Sequence, residues 1–317
     1  MAYNNMITRS NAEALIPVET SAEIFQAVAE RSAVLSLMRR LPNMSTGTRN
    51  LPVASAMVSA GFVEGDAGLK PTSSAAWDNK QIVAEEIAVI VPIPENVLND
   101  ASYDIWAQIR PQIVEAFGRI LDGAVLFGTD APASWPTGIV PDATTATRTV
   151  TAGTGVDLVD DLNSLMGQVE ESGYEVTGFA AAPTFKGSLR GLRDQIGGLL
   201  YQPSLTAGTP DTLYGQPIFT VRNGAWDGDE AVAIAGDWSQ AVYAFRQDLT
   251  YKVLDQAVIT DGDGNIVYNL AQQDMVALRV KMRVGWQVPN PINALDGTST
   301  RYPFAVLLPE DDGGLGG

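Results

Sequence analysis

The chain has 317 residues, no cysteine and no histidine, and it carries a formal charge of −17 from 37 acidic and 20 basic side chains. The absence of cysteine excludes disulfides, thiolate nucleophiles and cysteine-ligated metal sites. The absence of histidine removes the usual general base at neutral pH and excludes Ser-His-Asp and Cys-His triads within the chain. Any chemistry would have to use carboxylates, Lys, Tyr, Ser or Thr, or a cofactor.

Charge and hydropathy exclude further classes. A pI near 4.3 argues against a DNA-coating protein, because affinity for nucleic acid comes mostly from Lys and Arg on phosphates. The most apolar runs, residues 87–93 and 304–308, are too short to span a bilayer, and residues 1–10 lack a secretory signal pattern. We therefore expect a soluble chain with no membrane segment.

The fraction of charged residues, 18%, is below the roughly 25% usual for soluble domains. One explanation is a surface of uncharged polar side chains. The other is that neighbouring copies bury much of the surface, because interface cores are depleted in charge. Composition alone leaves both explanations open.

The first segment is predicted to be a polar arm, residues 1–19, followed by a helix. Thr20 and Glu23 have the spacing of a capping box, and Pro42 ends the pattern. Six apolar residues recur at helical intervals between them: Ile24, Phe25, Val28, Val34, Leu35 and Met38. Because an arm has little to pack against locally, we expect this helix to dock on the body or on a neighbouring copy.

The next segment is predicted to be a long two-stranded excursion. Leu51, Val53 and Met57 lie on an outgoing strand, and residues 87–93 alternate on a returning one. Residues 61–77, GFVEGDAGLKPTSSAAW, connect the strands and offer few core side chains. A loop of this length is usually functional or disordered. It is either a floppy surface loop or a hairpin that becomes ordered across another subunit.

Residues 95–128 carry the strongest helical pattern of the chain. The apolar stripe comprises Ile105, Ile109, Ile113, Phe117, Ile120, Ala124 and Leu126. Pro111 is expected to kink this helix or to mark its true start, and Gly128 is expected to end it.

After a Pro/Thr-rich stretch at residues 131–150, the pattern alternates between helix and strand. Helices are expected over 157–172, ended by Gly173, and over 184–200. Strands are expected over 178–183, 217–221, 231–235, 241–246, 251–259, 266–270, 274–288 and 301–308. Residues 310–317 form an acidic, glycine-rich tail. The pattern predicts an α+β chain without internal repeats.

No motif predicts a catalytic, cofactor-binding or metal site. Residues 261–265, DGDGN, begin like a calcium loop, but Ile266 and Gln272 replace its obligatory Gly and Glu, so we expect a turn between two strands. Residues 153–155, GTG, lack the third glycine of a dinucleotide fingerprint. Adjacent acids such as residues 160–161 do not form a dyad and are expected on solvated faces. A carboxylate-dependent hydrolase is a distant alternative.

The order of these elements resembles the major capsid proteins of tailed double-stranded DNA bacteriophages, which have the Hong Kong 97-like fold. An arm helix, a long hairpin and the sequence PENVLND at residues 94–100 precede the long helix. The later sequences LYGQPIF at 213–219 and AGDWS at 235–239, and the closing strand and short helix over 274–295, are also similar to the family. The resemblance covers residues 20–295, and it rests on order and spacing.

The resemblance implies an α+β capsid fold with a particular division of the chain. It implies an arm and arm helix over 1–45, an extended hairpin (the E-loop) with peripheral strands over 46–93, and a peripheral domain with the spine helix over 94–150. A mixed α/β axial domain over 151–272 and a return to the peripheral domain with a C-terminal tail over 273–317 complete it.

The same resemblance implies the function. The chain would be a structural, non-enzymatic subunit that assembles as pentamers and hexamers into an icosahedral phage head around double-stranded DNA, without binding that DNA specifically. Its location would be the virion, after assembly in the bacterial cytoplasm. The chain begins at Met1 almost directly with the arm, so we expect a separate scaffolding protein, a portal and possible decoration proteins as partners. The alternative is an encapsulin-like nanocompartment shell around a cargo enzyme.

The resemblance also implies candidate contact residues between subunits: Phe62, Glu64, Lys70, Trp77, Arg39 and Arg40. In the type member a hairpin lysine forms an isopeptide bond with an asparagine of a neighbour. The corresponding candidates here are Lys70 with Asn290 or Asn293. We favour a solvated or salt-bridging Lys70, because such chemistry needs a desolvated lysine.

Overall fold

The computed structural model describes residues 32–63, 69–100, 105–192, 211–298 and 300–310. The helices are α1 Ala33–Leu37, α2 Glu95–Asp100, α3 Ile105–Leu126, α4 Ile139–Thr145, α5 Leu158–Glu171 and α6 Phe185–Gly191, with a 3₁₀ turn at Trp238–Gln240. The strands are β1 Arg39–Arg40, β2 Thr48–Ala56, β3 Ala76–Val83, β4 Glu85–Pro94, β5 Thr149–Thr151, β6 Gly178–Ala181, β7 Thr212–Leu213, β8 Gln216–Thr220, β9 Ala233–Gly236, β10 Val242–Leu254, β11 Val258–Thr260, β12 Ile266–Asn269, β13 Met275–Gln287 and β14 Phe304–Leu308.

A four-stranded sheet, in the order β1-β10-β13-β4, supports the long helix α3. The central strand β13 is antiparallel to both β10 and β4, and the two-residue edge strand β1 runs parallel to β10. Phe117 and Leu121 of α3 are buried in the same core as Val280 and Met282 of β13. Most of the predicted apolar stripe of α3 therefore packs into the main core, whereas its member Ile120 is 49% exposed. Within the described residues, no helix is long and apolar enough to cross a bilayer.

A six-stranded sheet, in the order β5-β14-β9-β6-β8-β7, is buried on both faces. Side chains of α5, among them Leu162 and Leu165, pack on one face, and Ile234 and Phe304 on the other face belong to the main core. Burial on both faces explains why β6, β9 and β14 are continuous runs of apolar and small residues. At Gly236 a Cβ atom would lie 2.3 Å from the Phe304 ring, so this crossing of β9 and β14 requires glycine.

Strands β2 and β3 form a separate antiparallel hairpin that contacts the body at its root and also near the other end of β2. Ile82 is fully buried with Val242 and Ala244 of β10. The backbone of Ile292 donates a 3.0 Å hydrogen bond to the carbonyl of Ala54. The strands extend over roughly 25–30 Å at about 3.3 Å per residue, and the described residues between them, 57–63 and 69–75, are exposed.

A buried carboxylate joins three distant parts of the chain. Asp122 of α3 accepts hydrogen bonds from the Ser32 hydroxyl, from the backbone N–H groups of Ala33 (3.1 Å) and Val34 (3.2 Å), and from Asn223 Nδ2 (2.7 Å). Ser32 in turn caps α1 by accepting from Leu35 N. We call these residues the Asp122 hub. It fixes the root of the arm and the loop after β8 to the same turn of α3.

Burial raises the pKa of Asp122 above its usual value of 3.8, and the hydrogen bonds from Ser32, Asn223 and the backbone oppose that shift. Because the folded state then binds the proton more tightly than the unfolded state, this group contributes more stability as the pH falls through its folded pKa, and least above it. The hydrogen bonds of the hub therefore oppose, but do not cancel, the effect of burial on this carboxyl group.

The arm prediction needs correction at its C-terminal end. A helix that continues to Pro42 is wrong: Ser32 has extended backbone angles and starts a five-residue helix, and Arg39 and Arg40 form strand β1 beside β10. The cause is tertiary, since the hub fixes residues 32–34 and the edge of the sheet captures residues 39–40. The predictions for residues 1–31 lie outside the described part of the chain.

The hairpin prediction was right about the outgoing strand and wrong about the returning one. Residues 76–83 pair with β2, whereas residues 87–93 lie in β4 and pair with β13. The alternation in residues 87–93 is real, but it marks a strand with one face on the main core. The partner strand β3 has six consecutive exposed residues, so no alternation identifies it in the sequence.

Other elements were predicted with mixed success. Helix α5 is confirmed, with Asp157 accepting from the N–H groups of Val159 and Asp160 at its start and Gly173 at φ +76° after its end. Gly128, at φ +73°, follows α3 as expected. Pro111 neither starts nor divides α3, which runs continuously from Ile105.

Other element boundaries also moved. The Pro/Thr-rich stretch contains α4 and β5, and residues 242–254 are one strand. The second predicted helix ends at Gly191 within the described residues, and its predicted continuation to residue 200 lies outside them, as does the tail from residue 311. The division of the chain at residues 45, 93, 150 and 272 stays a prediction.

We predict that Asp122→Ala lowers the free energy of unfolding of the soluble full-length subunit by about 3 kcal/mol, because four buried or half-buried donors lose their acceptor. Chemical denaturation followed by circular dichroism measures the change. Gln112→Ala, an exposed position on the same helix, should change it by less than about 0.5 kcal/mol. Equal stability of the Asp122 variant and the wild type would contradict the role of the hub.

Candidate intersubunit surface

The connection between β2 and β3 presents large apolar side chains to solvent. Phe62 and Leu69 are fully exposed, and 69% of the Trp77 surface is accessible. Met57 and Val58, at the end of β2, are also exposed. A two-stranded hairpin is marginally stable alone in water, and clustered exposed apolar side chains mark interaction surfaces. This end of the hairpin, residues 57–63 and 69–77, is the candidate contact surface, and we call it the hairpin tip.

The structure places three of the predicted hairpin contact residues, Phe62, Lys70 and Trp77, on the exposed tip. Glu64 lies outside the described residues. Sequence reasoning did not identify Leu69, Met57 or Val58 as contact residues, and it assigned Met57 to the outgoing strand. The signal of Leu69 was present as an apolar residue in a segment otherwise rich in Gly, Ser and Pro, with no alternation that would assign it to a core.

Arg39 and Arg40 lie far from the hairpin tip, on the edge strand β1. Both side chains are exposed. The Arg40 guanidinium lies 5.4 Å from the centre of the Phe245 ring and donates to Asn43 Oδ1 at 3.1 Å. Stacking on an aromatic ring holds a guanidinium in place while it stays charged. The structure therefore presents two cationic side chains at the sheet edge, in a strand too short to pair extensively.

The two candidate asparagines are engaged within their own chain. Asn290 accepts from Tyr174 Oη (2.8 Å) and Arg301 Nε (3.2 Å), and its amide donates to the carbonyl of Arg301 (2.7 Å). Asn293 donates to the carbonyl of Ser172 at 2.7 Å and accepts from two backbone N–H groups. These bonds fasten the closing segment to the end of α5, so both side chains have a structural role.

In the acidic pair at residues 160–161, Asp160 is exposed as predicted, but the prediction of a solvated face is wrong for Asp161, which has a structural role. Asp161 is buried and accepts from the N–H groups of Gly153 (2.8 Å) and Gly155 (2.7 Å). Its carboxylate occupies the backbone donors of the GTG sequence that a phosphate would need. Sequence reasoning missed this contact, because nothing local shows that a glycine loop curls back onto the helix that follows it.

The DGDGN segment is a turn, as predicted. Asp261 accepts from the N–H groups of Asp263 (3.0 Å) and Asn265 (2.8 Å), and Gly264 has φ +85°. These bonds hold the pKa of Asp261 below its usual value, the backbone and side chain of Asn265 contributing most. In the part of the chain that the structure describes, no three acidic side chains come together in a way that could hold a metal ion.

Comparison with known proteins gives one consistent result. The model of the phage capsid family matches residues 12–296. The major capsid protein of Staphylococcus phage 80alpha is 25% identical over 313 residues, which cover 97% of this chain and 89% of that protein. A probable major capsid protein of Mycobacterium phage D29 is 27% identical over 279 residues, 82% of each chain.

Solved structures agree with the sequence comparison. A chain from Microbacterium phage Oxtober96 is 40% identical with a TM-score of 0.79, over 88% of this chain and 91% of that one. A chain from Mycobacterium phage Adephagia is 34% identical with a TM-score of 0.79, over 96% of this chain and 98% of that one.

The chain combines a mixed helix-and-sheet body with a β-hairpin, and its relatives share this arrangement. Together they define a class of structural shell proteins with the Hong Kong 97-like fold. The chain belongs to the phage capsid family, and it is a shell subunit of a phage head. These relatives favour the phage head over both the nanocompartment shell and the hydrolase.

We predict that the double substitution Phe62→Ser and Leu69→Ser lowers the yield of particles at least tenfold, while the free energy of unfolding of the soluble subunit changes by less than about 0.5 kcal/mol. Neither side chain is buried in the subunit, so the substitution removes only contacts made with neighbours. Particle yield is measured by sedimentation and negative-stain microscopy.

The matched control is Leu295→Ser, an exposed leucine outside the hairpin, which should assemble at close to the wild-type yield. An undiminished yield for the double variant would show that the hairpin tip does not carry the contact.

Proposed function

We propose that this chain assembles as pentamers and hexamers into an icosahedral head that encloses double-stranded DNA, with the hairpin tip lying across a neighbouring subunit. The observation that carries the proposal is the contrast between a body with closed hydrophobic cores and a hairpin tip whose large apolar side chains are exposed. A head-to-tail contact of this kind closes into rings when the rotation between copies fits.

The charges of the chain support two further parts of the proposal. Arg39 and Arg40 face acidic side chains of a neighbour, since the chain holds 37 acidic residues against 20 basic ones. The net charge of −17 limits attraction between the wall and the phosphates of the genome, because nucleic-acid affinity depends on cations released by Lys and Arg contacts. The wall therefore encloses the DNA without binding it specifically.

The proposed partners are a separate scaffolding protein, a portal and possible decoration proteins, with assembly in the bacterial cytoplasm before the subunit becomes part of the virion. We assign no enzymatic role to the chain. The two carboxylates that could have suggested one, Asp122 and Asp161, are each occupied by backbone and side-chain donors of the same chain.

The test is electron microscopy of the full-length protein, expressed alone and together with the scaffolding protein of the same phage. Five-fold and six-fold capsomers in closed shells are the expected result. Persistent monomers under both conditions would overturn the proposal, and shells that contain an enzyme cargo in place of DNA during infection would favour the nanocompartment.

A gel of mature particles tests the isopeptide cross-link between Lys70 and Asn290 or Asn293. We expect a single band at the monomer mass of 33.7 kDa, because Lys70 is exposed and both asparagines are hydrogen bonded within their own chain. A ladder of covalent multimers, abolished by Lys70→Arg and retained in Lys80→Arg, would show that the cross-link forms.

A further inference from the structure

A cavity of about 690 Å³ lies between the C-terminal half of α3 and the loop after β8. Its apolar lining includes Ile120, Ala225 and Trp226, and its acidic lining includes Asp130 and Asp227. At about 30 Å³ for each water molecule of bulk liquid, the space corresponds to roughly twenty waters. A cavity of this size, with Trp226 in its lining, is large enough to hold several apolar side chains at once.

The walls of this cavity are fixed. The Trp226 indole donates a 2.7 Å hydrogen bond to the carbonyl of Ala231 and packs edge-on against Phe127, with ring centres 5.3 Å apart. Asn223 holds the loop from both sides, since its amide donates to Asp122 and its Oδ1 accepts from Ala225 N at 3.1 Å. The cavity is therefore a preformed feature of the subunit, and Ile120 remains 49% exposed beside it.

The chain leading to Ser32 reaches the body at the edge of this cavity. A Cβ atom at Gly118 would lie 3.7 Å from the Ser32 nitrogen and 3.8 Å from Asn223 Nδ2. Gly118 directly precedes Arg119 and Ile120, two of the three α3 residues that line the cavity, and Asn223 directly precedes the loop residues that line it. The same Asp122 hub thus fixes both the cavity wall and the point where residues 1–31 join the body.

The segment just before Ser32 has a sequence suited to this space. Ile24, Val28 and Phe25 fall on one side of a helical projection, and Gln26 and Glu30 fall on the opposite side. One helical turn, about 5–6 Å, separates Val28 from Ser32, and even a fully extended chain reaches only about 14 Å. Chain length alone therefore keeps Val28 within about 14 Å of Ser32.

Charge agrees with this placement. Arg31, the residue before Ser32, lies on the same side of the projection as Ile24 and Val28. Asp130, Asp227 and Asp229 line the cavity against a single basic residue, Arg119, among its described lining. The excess of carboxylates in the lining would attract a cation that follows the arm into the cavity.

We infer that this cavity is the docking site for residues 24–31 of the same chain, with the apolar face of that segment against Ile120 and Trp226. The inference goes beyond the shell function, because it assigns part of the arm to its own subunit and leaves residues 1–23 to reach other partners. The free part of the arm then starts from a fixed point on α3.

Disulfide trapping tests the inference directly, because the chain has no cysteine of its own. The variant Val28→Cys with Thr129→Cys places one thiol on the apolar face and one in the cavity lining, where Thr129 is exposed. After mild oxidation of the full-length protein, we expect an intrachain disulfide, identified by mass spectrometry, in at least fivefold higher yield than in two controls. These are Gln26→Cys with Thr129→Cys, and Val28→Cys with Thr145→Cys, an exposed threonine outside the cavity.

Equal yields in all three variants, or no disulfide in any, would overturn the inference. A disulfide that joins two chains would also overturn it, since another copy would then fill the cavity. Hydrogen exchange gives a second readout that does not depend on thiol geometry. Val28→Asp should accelerate exchange at least fivefold in the loop of residues 223–229, whereas Gln26→Asp should leave it unchanged, and no acceleration with Val28→Asp would contradict docking.

These outcomes are separable from those for the shell. Closed particles that lack the intrachain disulfide would contradict the docking site alone, and a trapped disulfide in a chain that never assembles would contradict the shell proposal alone.

Discussion

A two-stranded hairpin cannot bury its own side chains. This constraint separates the parts of the subunit that form its own core from the part that needs a neighbouring subunit. The body satisfies it with a sheet that is covered on both faces, so that Ile234 and Phe304 face one core and Ala235 and Leu307 face the other. The hairpin is covered only in part, at residues such as Ile82 and Val53. Its apolar tip gains stability only from a surface that the subunit itself does not supply.

Two buried carboxyl groups of the body hold the root of the arm and two loops in fixed positions. The Asp122 hub joins the arm root, the spine helix α3 and the loop after β8 through one carboxylate. Asp161 does the same for the glycine loop before α5. Both are buried carboxyl groups that accept hydrogen bonds from backbone donors, so removing either leaves several polar groups without partners. Rigid attachment points reduce the entropy lost when a subunit meets its neighbours.

The sequence predicts the elements whose signals are local. Helix α5 carries its own cap at Asp157 and its own stop at Gly173, and both were found. The strand over residues 275–287 was found because it is long and apolar. Strand β3 was missed because its exposed side chains follow no period, and the pairing of residues 87–93 was missed because the partner strand lies about 190 residues further along the chain. Burial of Asp122 and Asp161 depends on groups brought together by folding, which no local pattern encodes.

The candidate contact surface was predictable to a similar degree. Residues 61–77 were singled out because they offer no core, and the structure confirms that Phe62 and Trp77 are exposed. Leu69 and Met57 were overlooked because isolated apolar residues in a polar loop carry little information alone. The sequence predicted that Arg39 and Arg40 lie on a helix, but they form a short strand at the edge of the four-stranded sheet. Capture of a short strand by a sheet edge is decided by the fold as a whole.

Hydrogen exchange of the free subunit and of the assembled particle tests the central claim most directly, because it compares the same amides before and after neighbours are present. The account predicts that the amides of residues 57–63 and 69–77 exchange rapidly in the subunit and become at least a hundredfold slower in the particle. The amides of Ala33 and Val34, which donate to Asp122, should be protected in both states. Equal exchange of the hairpin tip in subunit and particle would contradict the claim that neighbouring subunits stabilise it.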